Sequence, residues 1–358
     1  MAETTPTFAQ GIAVEIGRIE RELKKLWEQD AGATTRASLM NLAIYCEGLD
    51  AMGMNTALIS DITQSHACRA ILIVTEPDAP QDRVQAWISA HCHMSRAGAK
   101  QVCCEQITFL LEGQSCGLIP NIVFSHLDSD LPLYLWWQSE FSAQMDEQLW
   151  TWVDRLIFDS HSWSNPREQF ALLRDSLAKT KPPRLILCDL NWTRLIDWRQ
   201  ALAELFDSPS SLAQLSQIEG AVIFHGPGHC ATALLLVGWI MAQLGWKIQQ
   251  NDRNGFTFAK TGGADPVRFD IHEAGTHAIE RLQLWSKSAQ FQISYESGSV
   301  FLHEEIRLAD GHEYHHLVPP GKDNLPDLFN EELMRGGKHK VYLRALEAAE
   351  SLFEVKGI

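Results

Sequence analysis

Asp159 and Asp189 close two apolar runs, RLIFDS at 155–160 and PRLILCDL at 183–190. A carboxylate at the carboxyl end of a buried strand stands where open α/β sheets place their ligands. Two of them could divide acid and base work, or each could cap the helix that follows. A second candidate is HGPGHC at 225–230, where His225, Gly226, Gly228 and His229 lie between an apolar run and a helical one. Glycine-rich backbone ahead of a helix offers N–H groups to an anion. The stretch has neither the Lys-Ser/Thr of a P-loop nor the full Gly-x-Gly-x-x-Gly pattern, so a tight strand-to-helix turn is the default reading and phosphate or sugar-phosphate binding the minor one.

The third group is aromatic and cationic: Trp136 and Trp137 in DLPLYLWW, and Trp192, Arg194 and Trp198 in DLNWTRLIDW. Adjacent strand residues point to opposite faces, so Trp136 and Trp137 cannot share one core layer. Indoles and a planar guanidinium are preferred anchors for a protein partner; a domain core with an internal salt bridge is the other use for them. His91, Cys92 and His93, the pair Cys103 and Cys104, and His312, His315 and His316 are metal-ligand types. No Cys-x-x-Cys is among them and alternate strand residues diverge, so no metal is expected.

These residues need strands and helices to hold them. Ile12, Ile16, Ile19, Leu23 and Leu26 form one apolar stripe on an N-terminal helix. Strands are expected over 34–48, 68–74, 84–94, 101–111, 133–137, 155–160 and 183–190, with 84–94 and 101–111 as a hairpin. Helices are expected over 51–66, 115–128, from Asn165 to about Lys179, and from Trp192 to Phe206. Asn165, Pro166 and Glu168 read as cap, first helical residue and reciprocal cap partner. After the turn-rich SPSS at 208–211 comes a strand, the apolar helix ATALLLVGWIMAQLGW at 231–246, then GFTFAK, VRFDIHE, QFQISYE and SVFLHEEIRL as an antiparallel meander. A closing helical region over 326–354 would bury Leu333, Val341, Leu346, Ala349 and Phe353. The fold class is therefore α/β in two domains. An N-terminal helix at 1–33 precedes an α/β sheet domain at 34–210; an α+β domain with a strand meander and a terminal helix occupies 211–358.

Forty-five acidic against 30 basic side chains give a formal charge of -15. No nucleic-acid partner is expected, because phosphate-backbone binding rests on clustered Lys and Arg. The start MAETTPTFAQ has no basic segment followed by an apolar one, and the longest apolar stretch is too short to span a bilayer. A cytoplasmic protein with no membrane association is expected, its eight cysteines reduced.

The order TTRASLMNLAIYCEG, CRAILIV, DLPLYLWW, RLIFDS and DLNWTRLIDWRQALAELFD resembles that of the glucose-6-phosphate dehydrogenase assembly protein family, OpcA. The resemblance implies a non-catalytic factor that binds glucose-6-phosphate dehydrogenase and favours its assembled or active form; it assigns no contact residues, and Trp136, Trp137, Trp192, Arg194 and Trp198 are candidates by their chemistry alone. It implies no cofactor on this chain, NADP belonging to the partner. The alternative is an enzyme or sensor for a sugar phosphate, using Asp159, Asp189 and the 225–230 turn.

Overall fold

The computed structural model describes residues 11–28, 34–36, 38–94, 101–142, 147–180, 185–260, 265–296, 299–319, 323–335 and 339–356. Its contacts divide the chain into two units, Met1–Phe158 with Ala171–Cys188, and Asp159–Phe170 with Asp189–Ile358. The chain thus changes unit well before the SPSS break. There Ser208 instead caps a helix, accepting from Ser211 N at 3.1 Å.

The N-terminal unit runs β1 (Ile12–Val14), α1 (Ile19–Glu28), β2 (Thr34–Arg36), β3 (Met40–Glu47), α2 (Asp50–Ser65), β4 (Cys68–Glu76), β5 (Arg83–Met94), β6 (Gln101–Glu112), α3 (Ile119–Ser125), β7 (Leu133–Trp137), β8 (Arg155–Phe158), the start of α4 (Pro166–Thr180) falling in the other unit, and β9 (Ile186–Asp189). Strands lie in the order β1-β5-β6-β4-β3-β7-β8-β9, with β2 also on β6. The pairs from β6 to β8 are parallel, while β5 and β1 add antiparallel at one side. Residues 40–46 and 68–75 are buried without alternation, as strands of a parallel sheet covered on both faces must be.

The expected N-terminal stripe is shorter than the sequence suggests. Ile12 and Ile16 are 55% and 41% exposed, whereas Ile19 and Leu23 are buried. Residues 12–14 add a strand to β5, so the helix begins only at Ile19, where Glu20 pairs with the buried Arg69 of β4. The hairpin of β5 and β6 forms as expected, but it sets Cys92 directly opposite Cys103 with Cα atoms 4.1 Å apart, and the two form a disulfide. This corrects the expectation of reduced thiols throughout: cross-strand neighbours at that separation are within bonding reach. His91 and His93 turn to the other face, bonding Gln106 Oε1 at 2.6 Å and Thr63 Oγ1 at 3.0 Å.

The C-terminal unit continues with α5 (Leu190–Arg194), α6 (Ile196–Glu204), α7 (Pro209–Leu215), β10 (Gly220–His225), α8 (Cys230–Leu244), β11 (Lys247–Asn251), β12 (Gly255–Ala259), β13 (Val267–Glu273), β14 (Arg281–Trp285), β15 (Ala289–Tyr295), β16 (Leu302–Leu308), β17 (Glu313–Val318), α9 (Leu325–Met334) and α10 (Lys340–Lys356). The sheet order is β11-β12-β13-β10-β14-β15-β16-β17. The strand meander is real on both flanks, but β10 sits centrally and pairs parallel with β13. Helix α8 is buried over most of its length and ends at Gly245, whose φ of 67° suits a glycine beyond a helix end. The closing helical region is two helices. Of the positions expected to be buried, Leu346, Ala349 and Phe353 are, Leu333 is half-buried, and Val341 is exposed beside the buried Tyr342.

Candidate functional site

Most of the polar residues singled out in the sequence meet inside the C-terminal unit, around the start of α5. The β9-to-α5 turn makes Asp189 a helix cap: its Oδ1 accepts from Asn191 N and from Ser160 N, both at 3.0 Å. Its Oδ2 accepts from Ser160 Oγ at 2.7 Å and Tyr342 OH at 3.1 Å. Asn191 extends the network, donating to Ser160 Oγ at 3.1 Å and accepting from Thr232 Oγ1 at 2.7 Å. Five segments are thereby joined through one fully buried carboxylate. Burial and the nearby Asp159 charge push the Asp189 carboxyl up to about 7, against donors that favour the ionised form.

Asp159 caps the next turn, accepting from His161 N at 3.2 Å. Both of its oxygens are engaged by Arg194, at 3.2 and 2.9 Å. Arg194 also donates to Asp323 at 2.7 Å and to Asn191 Oδ1 at 3.3 Å. Asp159 and Asp189 are thus brought into one network, as a carboxylate pair requires. Its arrangement is that of an anchoring device: two N–H and two O–H donors hold one acid, and a guanidinium holds the other.

The 225–230 turn lies close to these groups. Gly228 takes a φ of 79°, and a Cβ on Gly226 would stand 2.7 Å from His277 O. His225 Nδ1 bonds Gly226 O at 2.8 Å. His229 stands just before α8, at its N-cap position, and stacks on His161 with ring centroids 4.1 Å apart. Burial lowers both imidazoles, His229 to about 4 with His161 and Arg194 adding to the effect, so neither brings a positive charge to an anion near neutral pH.

Arg194 and Trp198 line a cavity of about 350 Å³ together with His277, Tyr295, Val300 and Asp323. His277 stacks on Tyr295 at 4.1 Å, and Trp198 meets the same ring edge-on at 6.0 Å. The volume lies within the range of small-ligand pockets. The contribution of His277 to Ile279 before β14, of Tyr295 at the end of β15 and of Val300 was not visible in the sequence, because these residues are scattered singly.

The tryptophans proposed as partner anchors are buried. Trp136 and Trp137 lie in the N-terminal sheet, where Trp137 stacks on Tyr45 at 3.7 Å; both faces of that sheet are covered, which accommodates adjacent indoles pointing opposite ways. Trp192 carries the Arg199 guanidinium 3.5 Å above its ring, and Trp198 is likewise buried. All four are buried.

In the N-terminal sheet the strand order reverses at β3, between β4 and β7, the place where open α/β sheets bind nucleotides. Here α2 starts after Gly48, and the Leu49 amide donates to Glu76 Oε1 at 2.7 Å. Glu47 and Asp50 flank it. Acidic side chains therefore surround the helix N-terminus that a phosphate would need.

Two family models match the chain in order. Residues 59–175 match the glucose-6-phosphate dehydrogenase subunit N-terminal domain of OpcA, and residues 186–346 match the corresponding C-terminal domain. A protein named "Putative OxPP cycle protein OpcA" from Synechocystis is 29% identical over 195 residues, 53% of this chain and 40% of that protein. One of the same name from Synechococcus elongatus is 30% identical over 191 residues, 52% of this chain and 41% of that protein. The matches thus span less than half the length of these curated relatives. Among solved structures, an aldose-aldose oxidoreductase from Caulobacter crescentus is similar with a TM-score of 0.47 and 10% identity, over 89% of this chain and 97% of that one; a likeness this weak decides nothing about chemistry. With both domain models in order along one chain, this protein belongs to the OpcA family.

Proposed function

We propose that this chain is a non-catalytic partner of glucose-6-phosphate dehydrogenase, binding the enzyme and favouring its assembled or active state. The observation that carries the reading is the pair of ordered family matches over 59–175 and 186–346. The geometry supports it, since Asp189 is saturated by four donors and Asp159 is held by Arg194. Activation of this kind requires that the chain bind one state of the enzyme more tightly than the other. The test is the rate of the dehydrogenase at subsaturating glucose-6-phosphate, titrated with this chain, with co-elution on a sizing column. Activation with co-elution is expected; no binding and no rate change would remove the proposal.

A second reading, direct binding of a sugar phosphate, is favoured by the cavity lined by Arg194 together with Trp198, His277 and Tyr295. Glucose-6-phosphate alone should then raise the melting temperature without the dehydrogenase. An unchanged melting temperature at saturating sugar phosphate counts against it.

A further inference from the structure

A separate cluster in the C-terminal unit lies outside the Asp159–Asp189 network. Helix α6 is laid on the sheet by Phe206, whose ring lies 4.5 Å from that of Phe291 on β15. This brings Glu204, the last residue of α6, beside Glu304 on β16 and His316 on β17. Glu304 and His316 are directly opposite in the antiparallel ladder, His316 Nδ1 standing 3.4 Å from Glu304 Oε2. One ligand-type atom from each of the three residues lies within 4.8 Å of the others. Gln200 Nε2 donates to Glu204 Oε1 at 2.8 Å and fixes that carboxylate, the kind of support that metal-ligating carboxylates receive.

Glu304 supplies the independent observation. It is only 6% exposed, and its Oε1 is buried with no hydrogen-bond partner. A buried carboxylate oxygen with no donor is costly unless a cation satisfies it.

We propose that Glu204, Glu304 and His316 form a binding site for a divalent transition-metal ion of the zinc class. One imidazole among the donors favours zinc over magnesium or calcium, which prefer oxygen ligands throughout. Three protein ligands leave a coordination position for water or for a group from outside the chain. His316 is exposed, so an ion can enter from solvent. The bound ion ties α6, β16 and the edge strand β17 together at a place where β17 is exposed at every position but its last. Metal-ligand residue types at 312–316 therefore do assemble a site, but through one histidine and two carboxylates from other elements, not through the histidine cluster.

The decisive experiment is calorimetric titration of Zn²⁺ into the full, chelator-treated chain and into His316→Ala and Glu304→Gln variants, with circular dichroism as the check on folding. Cobalt(II) replaces zinc in a parallel spectrum, which distinguishes oxygen and nitrogen ligands from the thiolates of the free cysteines. The expected result is one equivalent bound by the parent chain, a cobalt spectrum without thiolate bands, and affinity weakened roughly 100-fold or more in each variant, above the loss seen when only a supporting contact is removed. No binding by the parent chain overturns the proposal, and so does binding that His316→Ala leaves unchanged. Because His316 is exposed, its variant decides the matter even if Glu304→Gln fails to fold.

Discussion

Arg194 holds Asp159 through two parallel donors, Nη2 to Oδ2 at 2.9 Å and Nη1 to Oδ1 at 3.2 Å, while its Nε reaches Asp323 Oδ1 at 2.7 Å. The guanidinium is nearly buried and Asp159 mostly so, whereas Asp323 is largely exposed. The Asp159 pair therefore carries most of the consequence of losing Arg194. Arg194→Ala leaves a desolvated carboxylate unpaired, and a loss of about 3 kcal/mol is expected in urea unfolding. Adding Asp159→Asn should return part of that loss, since the stranded charge is gone. Arg194→Lys should recover little, because an ammonium cannot reproduce the planar fork. Stability unchanged in Arg194→Ala would show that the network does not hold this end of the unit.

Asp189 gives the network a pH dependence with a definite sign. Its folded carboxyl sits at about 7, above an unfolded aspartate at about 3.9. The folded state therefore binds the extra proton between those values, and this group's contribution is complete below pH ~4 and lost as pH rises through ~7. The difference is on the order of 4 kcal/mol. Asp189→Asn removes the titration and keeps a carbonyl for the Ser160 and Asn191 amides, while the Ser160 and Tyr342 hydroxyls can turn to accept. Urea midpoints measured from pH 4 to 8 should fall less steeply in Asp189→Asn than in the parent chain. Equal slopes would remove Asp189 as their source.

How much of this was legible in the sequence depended on whether a residue's partner lay nearby in the chain. Asn165 takes its capping role from a neighbour, accepting from Glu168 N at 3.1 Å, although the Glu168 carboxylate returns to the Asn165 side chain and not to its backbone. The strands β3, β4 and β7 announced themselves as unbroken apolar runs. By contrast, Tyr342 reaches Asp189 across 153 positions, and no local pattern could reveal it. Strand β17 was missed because EYHHLV is exposed on both sides and has no apolar alternation to read. Within α10 the expected Leu346, Ala349 and Phe353 are buried and only Val341 is not, while the division into α9 and α10 was missed although Gly336-Gly337 stands between them.

Gly238 and Gly53 should respond in opposite directions to the same substitution. A Cβ on Gly238 of α8 would stand 2.6 Å from Ala345 O and 2.8 Å from both Ala349 N and Ala349 Cβ, on α10. Backbone atoms of a packed helix cannot yield as a flexible side chain would, so Gly238→Ala should cost about 1–3 kcal/mol despite its better helix propensity. Gly53 in α2 has nothing within 4 Å of the added carbon. Gly53→Ala should therefore stabilise by about 0.5–1 kcal/mol. Thermal unfolding of the two variants separates close helix packing from propensity, and a stabilised Gly238→Ala would mean that α8 and α10 do not approach as described.

Trp137 and Trp152 separate packing from surface contact. Trp137 is buried against Tyr45, Phe141 and Trp150, so Trp137→Ala should lose about 3–5 kcal/mol. Trp152 is 58% exposed, and Trp152→Ala should stay within about 0.5 kcal/mol of the parent chain. This contrast governs how dehydrogenase binding by tryptophan variants is interpreted. Weaker binding by Trp137→Ala at a temperature where part of it is unfolded reports only the folded fraction. If Trp137→Ala is instead fully folded, equally stable and unable to activate the dehydrogenase, the indole acts on the partner directly, and its burial in the N-terminal sheet must open for binding.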